Sequence, residues 1–357
     1  MPVTDSRIPV AILGATGAVG QTFIRCLAEH PWFRIAELGA SERSAGKRYA
    51  DAARWIEGEL PADVAALVVQ PCSPASVKAP VIFCGLDAAT AAETEPAFAR
   101  AGRFVFSNAK TFRMDPDVPL MIPEINASHL GLIERQRKER GWSGAIVTNA
   151  NCSSTTAAVA MAPLHERFGI KTAFVFTLQA VSGAGYPGVP SLDILGNIIP
   201  YIGEEEPKIE REIQKMLGRY ENGTITAAPF VVSAHANRVA VENGHTTCLS
   251  LGFEEKPTPE QAIAVLREWR GAPSVRGLPF APEPPIRYRD EPDRPQPRRD
   301  VMEGRGMTTV VGRVRSDNIL DLRLVAMSHN TIRGAAGGSI LNAELLVANG
   351  AIPRETR

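Results

Sequence analysis

The sequence predicts an α/β protein, with a doubly wound parallel sheet in its first half and an α+β unit in its second. Three observations predict it. Short apolar runs alternate with helical stretches over the first 150 residues, the pattern of strand–helix–strand units. After residue 150 the apolar runs lengthen, alternate in polarity and have fewer helices between them, which points to a mostly antiparallel sheet. The chain has 357 residues, enough for two domains at roughly 100–200 residues each.

Taken in order, residues 8–13 form a buried strand, followed by a glycine-rich turn and an amphipathic helix to about residue 30. Strands follow at 34–38, 65–69, 81–84, 104–106 and 145–148, with a helix over 88–101. Residues 152–168 are helical. Longer strands are expected at 172–182, 227–233, 246–253, 308–315 and 319–326, with helices at 205–217 and 259–269. Residues 279–299 are dense in Pro, Arg and Asp and read as a long loop. The last helix, 332–349, is expected to return to the first unit. The division is therefore 1–150 plus about 328–357 for the first domain and 151–327 for the second.

Composition excludes several classes. Thirty-nine basic residues balance thirty-nine acidic ones, so no global charge draws the chain to nucleic acid or an anionic membrane. No run of about 18 apolar residues could form a membrane span, and the N-terminus has no signal-peptide pattern. Five cysteines without paired spacing argue against a disulfide framework and for a reducing cytoplasm. The six histidines are scattered, so no metal site is expected.

The first strand runs into Gly14-Ala-Thr16-Gly17-Ala18-Val19-Gly20, which opens a helix. Glycines allow a tight turn and close approach to phosphate, and the helix start offers free N–H groups and a positive dipole end. This is a Rossmann-type dinucleotide loop with G-x-x-G-x-x-G spacing. The next strand ends in Gly39-Ala-Ser41-Glu-Arg43-Ser44. Hydroxyls and an arginine suit a 2′-phosphate, so the expected cofactor is NADP.

Asn151-Cys152 stands where a strand ends and a helix begins. A cysteine in a first helical turn feels the dipole, which is expected to lower its pKa and favour thiolate. Thiolates attack activated acyl groups and aldehydes. Asn151 is placed to orient an oxyanion or substrate. Residues 238–245 add Arg238, able to clamp a carboxylate in two-pronged fashion, and His245, able to accept or donate a proton.

Together the motifs GATGAVG, LGASERSAGKRY, FSNAKTFRM, NANCSST, LQAVSGAGYPGVPSLDI, GNIIPYIGEEEPKIERE, NRVAVENGHT and HNTIRGAAGGSILNAE span nearly the whole chain. In them the chain resembles the aspartate-β-semialdehyde dehydrogenase family, particularly its archaeal and fungal branch. The resemblance implies NADPH-dependent reductive dephosphorylation of aspartyl-β-phosphate, in the biosynthesis of lysine, threonine and methionine. It implies Cys152 as nucleophile, His245 as acid/base and Gln179 as the residue that positions the acyl intermediate. Arg238 and Glu205 would contact the substrate's carboxylate and amino groups. Lys208 and Arg113, with Asn108, would form a phosphate pocket. Ser182, Gly183 and Asn342 would lie on the nicotinamide side. It also implies a homodimer or homotetramer built through the second domain. A malonyl-CoA reductase-type paralogue and a non-catalytic NADP-binding regulator are the competing readings.

Overall fold

The computed structural model describes residues 6–354. Residues 1–5 and 355–357, the outer ends of the expected first domain, lie outside the described residues. Strands β1 (Ile8–Leu13), β2 (Phe33–Ala40), β3 (Val69–Pro71), β4 (Val81–Cys84), β5 (Phe104–Ser107), β6 (Leu120–Met121) and β7 (Ala145–Asn149) form one sheet in the order β3-β2-β1-β4-β5-β7-β6. Every pairing in it is parallel. The order reverses between β1 and β4, and in such sheets the ligand crevice lies outside the strand ends at that point. Apolar clusters cover both faces, which is why β4 and β7 are buried at every position.

The second sheet contains β8 (Ile170–Gln179), β11 (Val231–Arg238), β12 (His245–Phe253), β13 (Ile286–Arg289), β14 (Thr309–Ser316) and β15 (Leu322–Ser328), in the order β11-β8-β12-β15-β14-β13. A hairpin of β9 (Arg219–Glu221) and β10 (Thr224–Thr226) stands apart. The three central pairings are antiparallel, but both edge pairings, β11 with β8 and β13 with β14, are parallel. One face packs against the helices Cys152–Phe168, Glu205–Met216 and Pro259–Glu268. The other face leaves Phe174 and Val231 exposed.

Several expectations shift. The strand expected at 65–69 begins only at Val69; the alanine-rich residues before it form the short helix Ala62–Ala65, with the Leu67 amide bonded to the Val64 carbonyl. The strand expected at 227–233 starts at Val231, because Pro229 has no N–H to give a ladder and the Ala228 amide is used by Gln214. The first long strand stops at Gln179, and Ser182 and Gly183 sit in a tight turn after it. The loop 279–299 contains β13 and the short helix Pro297–Asp300. The helix Leu132–Arg140 is an element the apolar pattern did not reveal, since seven of its nine residues are charged or polar.

The C-terminal segment begins with a wide π-type turn, Ile332–Ala336, and continues as the helix Gly337–Ala348. Ile340, Leu341, Leu345 and Leu346 join the core formed by β1, β4 and β5, so the chain does return to the first sheet. A fully buried pair, His30 Nε2 to Glu344 Oε1 at 2.7 Å, ties this helix down.

Candidate active site

The glycine loop is built as its spacing predicts. Gly14 has φ +74°, and a Cβ there would lie 2.7 Å from the Gly85 carbonyl oxygen. A Cβ on Gly20 would lie 2.3 Å from the Gly14 carbonyl, so loop and helix meet too closely for any side chain. Gln21 donates to the Thr16 carbonyl and Tyr49 to the Ala15 carbonyl, holding the turn from below. No side chain caps the helix Ala18–Leu27 that follows Gly17.

Beyond β2, Ser41 and Arg43 are exposed and Ser44 is half-buried. Glu37, the acid inside β2, is already used: its carboxylate accepts from the Lys78 and Ala79 amides. A cleft of about 190 Å³ joins Ala18 to Ser182 and the 185–188 turn. Asn342 is fully buried, and neither its Oδ1 nor its Nδ2 has a partner among the described residues.

Cys152 is the first residue of the helix Cys152–Phe168, and Asn151 is its cap, with Oδ1 accepting from the Ser153 and Ser154 amides at 2.9 and 3.1 Å. The expectation of a lowered thiol pKa is corrected. Packing around the sulfur pushes the thiol up to about 12, and Glu205 adds to the rise. Arg113, the Ser153 amide and Arg238 pull the other way without prevailing.

Glu205 is the hub. Its carboxylate accepts from Asn151 Nδ2 (3.1 and 2.9 Å), Gln179 Nε2 (3.3 Å) and Lys208 Nζ (3.0 Å). Gln179 is the last residue of β8 and pairs in register with Arg238 on β11. Arg238 Nη1 donates to the Ala180 carbonyl at 2.8 Å. The Ala180 amide in turn donates to His245 Nδ1 at 3.0 Å. That bond keeps Nδ1 as an acceptor and leaves the ring proton on Nε2, which is buried and has no partner. Burial, then Arg238 and His329, push His245 down to about 3, so it is neutral. A Cβ on Gly183 would lie 3.0 Å from Arg238 Nη1 and 3.1 Å from His245 Nε2, so glycine lets both approach.

Arg113 is buried, with Nη2 donating to the Asn108 carbonyl at 2.7 Å and Nη1 to Glu212 Oε1 at 3.0 Å. Beside it a cleft of about 360 Å³ is lined by Lys110, Lys208 and Arg211. The side chain of Asn108 is engaged, donating to the Cys84 carbonyl and accepting from Asn149, so it acts as a support. The structure thus gathers Cys152, Asn151, Gln179, Glu205, Lys208, Arg238, His245 and Gly183 into one cluster, with Arg113 adjoining. Ser41, Arg43 and Ser44 stand apart at the end of β2, and Asn342 lies in the core.

Sequence reasoning missed four supports. Gly334 packs on Cys152, where a Cβ would lie 2.5 Å from the Cys152 Cβ. Asn149 donates to the Gly334 carbonyl. Asn330 bridges the Gly244 amide and Ser182. Glu212 joins Arg113 to the Asn151 amide. Only Glu212 left a signal, the 3-4-3 spacing of Glu205, Lys208, Glu212 and Lys215 along one helix.

Two family models match the chain: "Semialdehyde dehydrogenase, NAD binding domain" over residues 9–133, and "Semialdehyde dehydrogenase, dimerisation domain" over 161–333. The aspartate-semialdehyde dehydrogenase of Archaeoglobus fulgidus is 47% identical over 342 residues, covering 96% of this chain and 98% of the relative. That of Schizosaccharomyces pombe is 47% identical over 351 residues, with coverage of 96% and 98%. The crystal structure of the Candida albicans enzyme with NADP superposes with a TM-score of 0.89 at 44% identity, covering 97% of this chain and all of that one. The motifs, the two sheets and the cysteine-centred cluster converge with these matches: the chain belongs to the aspartate-semialdehyde dehydrogenase family.

Proposed function

We propose that this protein catalyses reductive dephosphorylation of aspartyl-β-phosphate to aspartate β-semialdehyde with NADPH, a step toward lysine, threonine and methionine. The observation that carries the reading is the surround of Cys152. Arg113 and Lys208 suit a phosphate, Arg238 suits a carboxylate and Glu205 suits an ammonium, which together are the charged groups of that substrate.

The residues present fit NADP. Gly14 and Gly20 leave space only for backbone, and the uncapped helix start offers amides to the pyrophosphate. Glu37 is occupied and Arg43 is free to meet a 2′-phosphate. The unpartnered amide of Asn342 can both donate to and accept from a carboxamide. When bound, the cofactor supplies the hydride that reduces the acyl group.

The chain's own residues do the rest. Cys152 sulfur forms a bond to the acyl carbon, the carbon–oxygen bond to phosphate breaks, and in the balance the thiol proton ends on the released phosphate. His245 keeps its proton at Nε2 and donates a hydrogen bond from it to the acyl oxygen as that oxygen gains charge, while the thiol proton leaves on the departing phosphate. Gln179 and Asn151, both anchored on Glu205, hold the acyl group in place. Gly183, lacking a side chain, lets Arg238 and His245 close on that space.

We assign residues 1–150 with about 328–357 to cofactor binding, because the last helix shares the first sheet's core. Residues 151–327 are the catalytic and oligomerising domain, and the open face bearing Phe174 and Val231 suits a homodimer or homotetramer. Five free cysteines suit the reducing cytoplasm.

The test runs the reaction backwards with aspartate semialdehyde, phosphate and NADP, following NADPH absorbance. Phosphate-dependent reduction is expected, abolished in Cys152→Ser while NADP binding persists. No phosphate-dependent signal, with malonyl-CoA turned over instead, overturns the proposal.

A further inference from the structure

We propose that Glu212 is a positioning residue for the phosphate half of the reaction, aligning the Arg113 guanidinium with the start of the nucleophile's helix. The proposal rests on the reading of Arg113 as a phosphate contact. The Glu212 side chain is buried at 2% exposure. Its Oε1 accepts from Arg113 Nη1 at 3.0 Å, and its Oε2 accepts from the Asn151 main-chain amide at 2.7 Å. One carboxylate therefore fixes, through separate oxygens, a group that meets the leaving phosphate and the backbone that delivers the nucleophile.

The placement follows from the helix. Glu205, Lys208, Glu212 and Lys215 recur at intervals of three, four and three, which puts them on one stripe of the helix Glu205–Met216. The adjoining stripe of Ile209, Ile213 and Met216 is buried in the second core, so the helix cannot rotate. Its first turn holds Glu205 and Lys208 at the substrate's amino and phosphate ends. Its last turn holds the loop that carries Arg113: Lys215 Nζ donates to the carbonyls of Arg113, Asp115 and Val118 at 2.7–2.9 Å. Lys215 fixes the backbone of Arg113 and Glu212 fixes its head.

Arg113 keeps Nη2 on the Asn108 carbonyl, while its Nε is buried without a partner. Removing the Glu212 charge frees Nη1 to turn and leaves the Asn151 amide with a weaker acceptor. A guanidinium recognises phosphate through a planar fork, so a tilt of the fork weakens phosphate binding more than it weakens anything else.

The experiment measures the phosphorylating direction in Glu212→Gln, which keeps shape and removes charge, and in Glu212→Asp. Glu212→Gln is expected to raise KM for phosphate about tenfold or more, the size of a charge-assisted hydrogen bond, with KM for NADP unchanged. Glu212→Asp should recover part of the loss. The double variant with Arg113→Ala should have the phosphate KM of Arg113→Ala alone, since Glu212 acts through that residue. An unchanged phosphate KM, with turnover falling only in proportion to folded protein, overturns the inference. So does full additivity with Arg113→Ala. Failure of the underlying reading is distinguishable, because the unaltered protein would then have no phosphate-dependent activity at all.

Discussion

Gly334→Ala tests whether the C-terminal segment sets the position of the Cys152 sulfur, the proposed nucleophile. An added Cβ would stand 2.5 Å from the Cys152 Cβ and 2.7 Å from its Cα. Carbon atoms rest comfortably at about 3.5–4.0 Å, so one side must yield by roughly 1 Å. Neither side yields freely. The Gly334 amide is bonded to the His329 carbonyl and its own carbonyl accepts from Asn149. Cys152 is held by the Asn151 cap and by the seventeen-residue helix it starts. The strain is therefore divided between the packing and the sulfur's position.

Overpacking of this kind costs about 1–3 kcal/mol, and a displacement of about 1 Å in a reacting group costs on the order of 10²-fold in rate. The expected outcome is a melting temperature lower by several degrees and a kcat/KM lower by about 10²-fold. Thermal denaturation and the phosphate-dependent assay read the two effects. Gly337→Ala is the comparison, because its added carbon meets Met307 and Ile332 rather than Cys152; it should lose stability and retain turnover. Wild-type kcat/KM in Gly334→Ala would refute the reasoning.

Three further outcomes are expected. Arg43→Ala should erode the preference for NADP over NAD by about tenfold or more, since a charge-assisted contact to the 2′-phosphate is lost; equal preference in the unaltered protein would remove the assignment. Arg238→Lys should raise KM for aspartate semialdehyde while leaving KM for phosphate alone, because an ammonium cannot reproduce the fork. Burial raises the Glu95 carboxyl to about 7, above its unfolded value, so its favourable contribution is complete below about pH 4.5 and is lost as pH rises toward and through 7. Urea denaturation of Glu95→Gln at pH 5 and pH 8 should therefore show a smaller fall in stability with pH than the unaltered protein.

The glycine loop, the place of Cys152 and the parallel sheet were legible because each depends on local chemistry. Gly14 and Gly20 stand at positions that no other residue could fill so closely, and Cys152 follows the end of a buried strand. The parallel edge strands were not legible, because β11 pairs with the distant β8, β13 lies inside the Pro-rich stretch that reads as a loop, and a strand's own alternation does not state its partner's direction. Gly334, Asn149 and Asn330 left no pattern because each acts through contacts made across long sequence separations.

The thiol of Cys152 is where a local rule met a stronger global one. A helix N-terminus contributes about 0.3–1 kcal/mol, up to about 2 in favourable geometry, to a neighbouring negative charge. That is about 0.2–0.7 of a pKa unit, and about 1.5 at most. Burial is the largest influence on the Cys152 thiol and raises it by more than that, so the helix start alone cannot ionise this residue. The groups that lower it further are Arg113, the Ser153 amide and Arg238. The same two arginines are the proposed seats of the substrate's phosphate and carboxylate, and Arg238 is also one of the groups that keeps His245 neutral. Sequence placed the thiol at a helix start, but its ionisation depends on side chains from three other elements: the loop after β5, β11 and the helix that carries Glu205.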